Sequence, residues 1–258
     1  MAKILAIAGK GGTGKTTIAG LVIAYLKRYA DGPILALDAD PDANLGTVLG
    51  IHPESSIGDL REETLREIKS LPSGMSKSNY IQAGLHQIVA ESQKVDMITM
   101  GRSEGPGCYC YINSVLRKFS DDLQSEYEWV VMDNEAGLEH LSRRTASHVD
   151  GLIIVVNASP LALDCARRID ELTAEFSNEI RRKYVLLNNV RDEAYVPVLE
   201  EWMKARSMTY LGCIQHDEGV EDSIMKGRSL FELTDSPAVR TIHTLMSRIQ
   251  EELWNSSM

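Results

Sequence analysis

The sequence predicts an α/β protein built on one doubly wound, mostly parallel sheet with helices on its faces. Three observations predict it. Short apolar runs rich in Val, Ile and Leu alternate with helical stretches along the whole chain. Several of these runs end at Asp, Asn or Gly, as strands do where a parallel sheet meets its ligand-binding loops. The first run leads into a glycine-rich loop and then a helix, which is the start of a βαβ unit. No internal repeat interrupts the pattern, so we expect one domain over residues 1–258.

The predicted elements follow one another in regular order. Apolar runs predict strands at residues 3–8, 34–37, 97–100, 128–132, 151–157, 183–189 and 210–214. Helical spacing of apolar residues predicts helices at 16–29, 161–176, 196–206 and 239–253. The stretch at 57–95 has mixed polarity and predicts loops with one or two short helices.

The charge balance argues against two classes of partner. The 258-residue chain carries 27 Lys and Arg against 37 Asp and Glu, a formal net charge of −10. Nucleic-acid backbones and anionic membrane surfaces are both recognised by clustered Lys and Arg, so we expect no nucleic-acid partner and no membrane partner. The opening residues lack a signal-peptide pattern, and no apolar run approaches the ~18 residues of a membrane span. We therefore expect a cytoplasmic protein.

A glycine-rich loop follows the first predicted strand. Residues 9–16 read GKGGTGKT and match the phosphate-loop pattern G-x-x-x-x-G-K-[ST] in full. Glycines let consecutive backbone N–H groups turn toward one anion, while Lys15 offers a positive charge to the phosphates and Thr16 a hydroxyl to Mg²⁺. The loop predicts a Mg²⁺-bound nucleotide, ATP, with ADP as the hydrolysis product. The predicted nucleotide-binding residues here are Gly9, Gly11, Gly12, Thr13, Gly14, Lys15, Thr16 and Thr17.

Acidic residues follow two of the predicted strands. Asp38 comes after the strand at 34–37, and Asp133 after the strand at 128–132. The carboxyl ends of parallel strands form the ligand-binding edge of such a sheet. An Asp at this position is the expected Walker B ligand of Mg²⁺, and a second carboxylate can orient a water or hold Mg²⁺ through water. For residues 38–45, a simple polar turn of Asp, Pro and Asn is the alternative explanation.

Cys108 and Cys110 form a C-x-C pair flanked by glycine. Two thiols one residue apart cannot easily close a relaxed disulfide with each other, but both can ligate one soft metal ion. Two thiolates fill half of a tetrahedral site, and a two-fold dimer would complete it with four sulfurs. Four thiolates suit Zn²⁺ and can also take Ni²⁺ in a square plane. Two unrelated thiols are the alternative explanation.

Together these motifs resemble one group of ATPases. KGGTGKT, with a lysine just after the first glycine, resembles the deviant Walker A loop of the MinD, ParA and NifH group. DADPDANL at 38–45 is similar to the switch I motif of that group, and DNEAG at 133–137 to its switch II motif. GPGCYC at 105–110 and DNEAGLEH at 133–140 look most like the nickel-insertion ATPases of the CooC and AcsF type. The motifs stand in the same order and span nearly the whole chain.

The resemblance implies roles that the residue patterns leave open. It implies that Lys10 reaches the nucleotide across a dimer interface, that Asp40 positions the attacking water, and that Asp38 lies near a Mg²⁺ held by Thr16 and Asp133. The catalytic residues that it implies are Lys10, Lys15 and Asp40.

Adenine recognition is the last role that the resemblance assigns. An Asn at the end of a late strand reads the adenine edge in this group, which implies that role for Asn188, because an amide offers both a donor and an acceptor. The adjacent Asn189 leaves the register between the two open. The chain departs from the group at Gln215-His216-Asp217, where Pro-x-Asp is usual.

The implied function is that of an ATP-driven metallochaperone. Two chains would close over two ATP molecules and assemble a Ni²⁺ or Zn²⁺ site from Cys108 and Cys110 of both chains. Hydrolysis would release the metal to a client nickel enzyme, carbon monoxide dehydrogenase or acetyl-CoA synthase. The alternatives are a positioning ATPase like MinD or ParA, acting on a membrane or DNA, and an iron–sulfur reductase like NifH. The predicted C-terminal helix lacks a polar face rich in Lys and Arg, so we expect it to dock on its own domain.

Overall fold

The chain folds around a parallel β-sheet. The computed structural model describes residues 2–67, 77–101, 126–134, 148–157, 160–175, 180–192, 194, 196–205 and 208–255. Within these ranges the sheet has seven strands, all in parallel pairs, in the order β3-β2-β4-β1-β5-β6-β7. The strands are β1 (Lys3–Gly9), β2 (Ile34–Ala39), β3 (Val95–Thr99), β4 (Trp129–Asn134), β5 (Val149–Val156), β6 (Ile180–Val190) and β7 (Thr209–Gln215). The predicted fold class is confirmed.

Helices connect the strands and cover both faces of the sheet. They are α1 (Lys15–Tyr29), α2 (Leu45–Leu49), α3 (Ile57–Glu67), α4 (Lys77–Gln87), α5 (Pro160–Glu175), α6 (Val196–Lys204), α7 (Glu218–Met225) and α8 (Pro237–Gln250), followed by a π-helical turn at Glu251–Asn255. The apolar side chains of the sheet form two clusters, one with α1 and α8 and the other with α3 to α6. Burial on both faces explains why the central strands are continuous apolar runs.

The strands β2 and β4 are longer than the sequence predicts, and they therefore include Asp38 and Asp133. β2 and β4 remain paired through Asp38 with Asp133 and through Ala39 with Asn134. The prediction that these aspartates follow their strands was therefore wrong, because backbone pairing continues through them. They lie inside the sheet as fully buried register partners. The short helices α2 and α7 were not predicted.

The C-terminal helix α8 packs on the sheet, as expected. It is capped by Ser236, whose side chain accepts a hydrogen bond from the Val239 N–H, and it starts with a proline. Its apolar stripe is buried against α1 and β7, and the turn that follows it places Trp254 edge-on against buried Trp129 at 4.9 Å between ring centroids. The buried residues of the stripe are Ala238, Ile242, Leu245, Met246 and Ile249.

Across the described ranges, none of the helices combines the length and the apolar character that crossing a membrane would require.

Candidate nucleotide site

The glycine-rich loop connects β1 directly to α1. Thr13 ties it together, since its backbone N–H and its Oγ1 both donate to the Lys10 carbonyl, at 3.3 and 2.8 Å. Gly14 precedes α1 with φ 87°, in the left-handed region that favours glycine. A Cβ there would lie 2.3 Å from Asn188 Nδ2, and one at Gly9 would lie 2.3 Å from the Val155 carbonyl oxygen. Backbone conformation and close packing therefore both require glycine in this loop.

The N-terminus of α1 is free to bind an anion. Its first turn contains no acidic residue, and no side chain caps it. The unsatisfied N–H groups and the helix dipole favour a phosphate at this point. Lys15 begins the helix and is buried, with Nζ 3.5 Å from the Lys10 carbonyl oxygen that it donates to. Thr16 and Thr17 follow and are half-buried.

Asp38 organises the loop that follows β2. Its Oδ1 accepts a hydrogen bond from the Asp40 N–H at 3.1 Å, and its Oδ2 accepts one from the Leu45 N–H at 2.9 Å. Burial raises the pKa of Asp38 to about 6, although these two hydrogen bonds favour the charged form. Asp40 itself is half-buried and accepts from the Asp42 N–H at 3.0 Å.

Asp133 is the least satisfied polar group of the site. Both of its carboxylate oxygens are buried, and no described residue gives either of them a hydrogen bond of normal geometry. Burial raises the pKa of Asp133 to about 7, and the charges of Asp38 and Asp40 add to the rise, while Thr16 and Lys15 oppose it. The side chains of Asp38, Asp40, Thr16 and Lys15 therefore all lie close enough to Asp133 to affect its ionisation.

A divalent cation fits this arrangement. A buried carboxylate without partners needs a compensating charge, and Thr16 stands beside it. Mg²⁺ is usually held by one or two protein ligands together with substrate phosphates and water. The described ranges contain no group of three or more His, Cys, Asp or Glu residues that could hold a metal ion. When bound, Mg²⁺ would neutralise the charge that develops on the phosphates.

A cavity of about 280 Å³ continues from the phosphate loop to the ends of β6 and β7. Gly12, Thr13, Gly14 and Thr17 form its inner end, so a nucleoside attached to phosphates on the loop would enter it. Asn188 lines the cavity and donates from Nδ2 to the Thr13 carbonyl at 2.8 Å, which ties the end of β6 to the phosphate loop. Asn189, the sequence-based alternative to Asn188, also lines the cavity. So do four residues to which the sequence assigned no role, namely Arg191, His216, Ile224 and Met225.

Several predicted residues cannot be placed. Cys108, Cys110 and the switch II residues 135–137 lie outside the described part of the chain. Lys10 is described and half-buried, but its implied contact with a partner chain is not tested by a single chain. The other predicted site residues all lie around the loop, the two aspartates and the adjoining cavity.

A protein-family model matches most of the chain. Residues 4–230 match the CobQ/CobB/MinD/ParA nucleotide-binding domain. The matched range begins in β1 and includes the phosphate loop, both aspartates and all lining residues of the cavity except Ala238.

Individual proteins are similar over nearly the whole chain. An uncharacterised ATP-binding protein of Methanocaldococcus jannaschii is 38% identical over 254 residues, which cover 98% of each chain. The carbon monoxide dehydrogenase accessory protein CooC of Rhodospirillum rubrum is 28% identical, covering 96% of this chain and 97% of that one. In three dimensions, MinD of Pyrococcus horikoshii complexed with Mg-ADP is similar with a TM-score of 0.69 and 17% identity, covering 100% and 99%.

Proposed function

Because the chain belongs to the CobQ/CobB/MinD/ParA nucleotide-binding domain family and is a P-loop ATPase, we propose that it is an ATP-driven metallochaperone. It binds Ni²⁺ or Zn²⁺ through Cys108 and Cys110 of two chains and delivers nickel to a client enzyme. The client is carbon monoxide dehydrogenase or acetyl-CoA synthase, and the likeness to the accessory protein CooC supports this choice.

One observation carries the proposal. The stretch that leads to the cysteines starts beside the nucleotide site. β3 pairs with β2, with Thr99 opposite Asp38, and the next residue, Met100, donates its N–H to the Asp38 carbonyl at 2.8 Å. The Met100 carbonyl in turn accepts from the Gly58 N–H at 3.0 Å. In this proposal, a change at Asp38 on nucleotide binding reaches the main chain at Met100, eight residues before Cys108.

In this proposal, ATP binding closes the dimer of two chains and ATP hydrolysis opens it. In the proposed cycle, Thr16 and Asp133 hold Mg²⁺, Lys15 neutralises the phosphates and Asp40 orients the attacking water. Lys10 reaches the nucleotide of the partner chain, so that two chains close only when both hold ATP. Closure completes a four-thiolate site, which neither chain can supply alone. Hydrolysis removes the γ-phosphate contacts and reopens the dimer.

The proposal is tested by titrating the protein with Ni²⁺ and Zn²⁺ while its molecular mass in solution is measured to distinguish monomer from dimer. Wild type should bind one metal per two chains, and ATP and metal should strengthen each other's binding by the same factor. A Cys108→Ala/Cys110→Ala double variant should lose the metal and keep ATP binding, and a Cys165→Ala/Cys213→Ala variant is the matched control. One metal per chain in a monomer, or full metal binding by the first variant, would contradict the proposal.

A further inference from the structure

Another cavity, of about 500 Å³, lies on the other side of Asp38 from the phosphate loop, beyond the carboxyl end of β3. It is enclosed by the first turn of α2, the loop between α2 and α3, and the N-terminal half of α3. Part of its wall is closely packed backbone. A Cβ at Gly46 would lie 2.5 Å from the Ile51 carbonyl oxygen, and one at Gly101 would lie 2.2 Å from Ser56 Oγ. A cavity of this volume is large enough to hold a ligand or a side chain of another protein.

The rim of this cavity is acidic. Glu54, Asp59 and Glu62 line it and are exposed, and among its lining residues only His52 can carry a positive charge. Asp59 caps α3, because its Oδ2 accepts from the Ser56 N–H at 2.9 Å and from the Ser56 hydroxyl at 2.6 Å. Three carboxylates around one opening attract a cation and repel phosphates and other anions.

The floor of the cavity contains a hydroxyl that lacks a partner. Thr99 lines the cavity and is only 7% exposed, and its hydroxyl makes no hydrogen bond to another described residue. Side chains alternate along a strand, so Thr99 lies on the same side of β3 as Met97. Met97 Cε would lie 3.4 Å from a Cβ at Gly46, so this side of β3 faces the Gly46 wall of the cavity. A nearly buried hydroxyl without a partner is uncommon, and this one can accept a hydrogen bond from an N–H group that enters the cavity.

The cavity adjoins the two segments that hold Asp38. The Asp38 carboxylate accepts from the Leu45 N–H at 2.9 Å at the start of α2, and Gly46 and Thr47 of the same turn line the cavity. In the sheet, Asp38 is the register partner of Thr99. An occupant of the cavity therefore contacts the same turn and the same strand end that position the Asp38 carboxylate.

We propose that this cavity receives a Lys or Arg side chain from the surface of a partner protein. The cationic group lies among Glu54, Asp59 and Glu62 and donates a hydrogen bond to the Thr99 hydroxyl. An exposed acidic rim above a buried polar floor suits a long side chain that reaches in from another surface. Because the occupant contacts the turn that Asp38 holds, partner binding and nucleotide binding change each other's affinity by the same factor. The inference concerns partner docking and holds whether or not the partner is a nickel enzyme.

Titration with capped glycine pentapeptides that carry one central arginine, lysine or glutamate tests the inference. Binding is followed by NMR of the threonine methyl groups. The arginine and lysine peptides should shift the signals of Thr47 and Thr99 in a saturable way, and the glutamate peptide should not. Mg²⁺ with a non-hydrolysable ATP analogue should change the affinity for the arginine peptide at least about fivefold. Binding of spermidine at least about tenfold tighter than that of either basic peptide would assign the cavity to a small amine and overturn the inference.

Variants separate this site from a general attraction to an acidic protein. Glu54→Gln/Glu62→Gln should weaken binding of the arginine peptide about fivefold, and Thr99→Val, which keeps the shape of the side chain, should also weaken it about fivefold. Glu171→Gln/Glu201→Gln is the matched control and should keep the wild-type affinity. Each double variant removes two negative charges, including one glutamate that pairs with an arginine on its own helix.

Three results would overturn the inference. They are the absence of saturable shifts with the basic peptides, an equal loss of affinity in both double variants, and an unchanged affinity in Thr99→Val. None of them would bear on ATP hydrolysis or on the cysteine-dependent metal binding, which are measured separately.

Discussion

Asp133 should destabilise the nucleotide-free protein, and replacing it with Asn should relieve this cost. Burial raises its pKa from 3.8 to about 7, and each pKa unit corresponds to about 1.4 kcal/mol. Keeping the carboxylate charged in the folded protein thus costs up to about 4 kcal/mol at pH 8. Since 1 kcal/mol shifts the Tm of a chain of this size by about 2 °C, Asp133→Asn should raise the Tm at pH 8 by about 5–8 °C.

The sign of the pH dependence follows from the raised pKa. Between pH 3.8 and about 7 the folded protein holds a proton at Asp133 that the unfolded chain has released. Stability is therefore lost as the pH rises through this window. Asp38, whose pKa is raised to about 6, adds a loss of the same sign in both proteins. The advantage of Asp133→Asn should grow from pH 4 to pH 7 and then level off.

Thermal unfolding in EDTA at several pH values measures this difference. Asp31→Asn, at an exposed turn after α1, is the matched control and should change the Tm little at any pH. Mg²⁺ with nucleotide should stabilise wild type more than Asp133→Asn, because the cation compensates the carboxylate. A variant that is less stable than wild type at pH 8, or an advantage independent of pH, would refute the reasoning.

Three further substitutions test other parts of the site. Lys15→Ala should lower the rate of ATP hydrolysis at least about 100-fold, because one charge that neutralises the phosphates is lost. A phosphate-release assay measures this rate, and wild-type turnover would contradict the phosphate-loop assignment. Asp40→Ala should still bind ATP but not hydrolyse it, and should accumulate as a nucleotide-bound dimer in sizing experiments; a loss of ATP affinity would make Asp40 a binding residue instead. Asp217→Ala should lower the free energy of unfolding by about 2 kcal/mol. The Asp217 carboxylate accepts hydrogen bonds from Gly219 and Val220 at the start of α7 and from Ala238 at the start of α8, and the variant loses all three. Chemical denaturation measures the change, and a value below about 0.5 kcal/mol would argue that these hydrogen bonds do not stabilise the two helices.

The sequence predicted those parts of the site that depend on local pattern. GKGGTGKT specifies its own conformation, because the glycines and the start of α1 are adjacent in the chain. The partnership of Asp38 and Asp133 could also be predicted, since parallel strands end at one edge of the sheet. Their exact depth could not, because it depends on how far β2 and β4 stay paired.

The cavity beside the phosphate loop depends on contacts between distant segments, so the sequence did not reveal it. A bulge at Asn189 in β6 arises from the register of β6 against β7 and from a histidine 27 residues away. The dipeptide Asn188-Asn189 was a visible signal, but nothing local indicated that both residues line one cavity. Asp217 lies in the segment where the chain departs from the usual Pro-x-Asp. It caps α7 and also accepts a hydrogen bond from the Ala238 N–H in the first turn of α8.

Metal release during a single round of hydrolysis tests the central proposal most directly. The protein is loaded with Zn²⁺ or Ni²⁺ and ATP, and transfer of the metal to a chromogenic chelator is followed alongside phosphate release. The account predicts that the metal leaves at the rate of hydrolysis. It also predicts that the metal stays bound with a non-hydrolysable ATP analogue and in Asp40→Ala. Release at one rate with ATP, with the analogue and without nucleotide would contradict it.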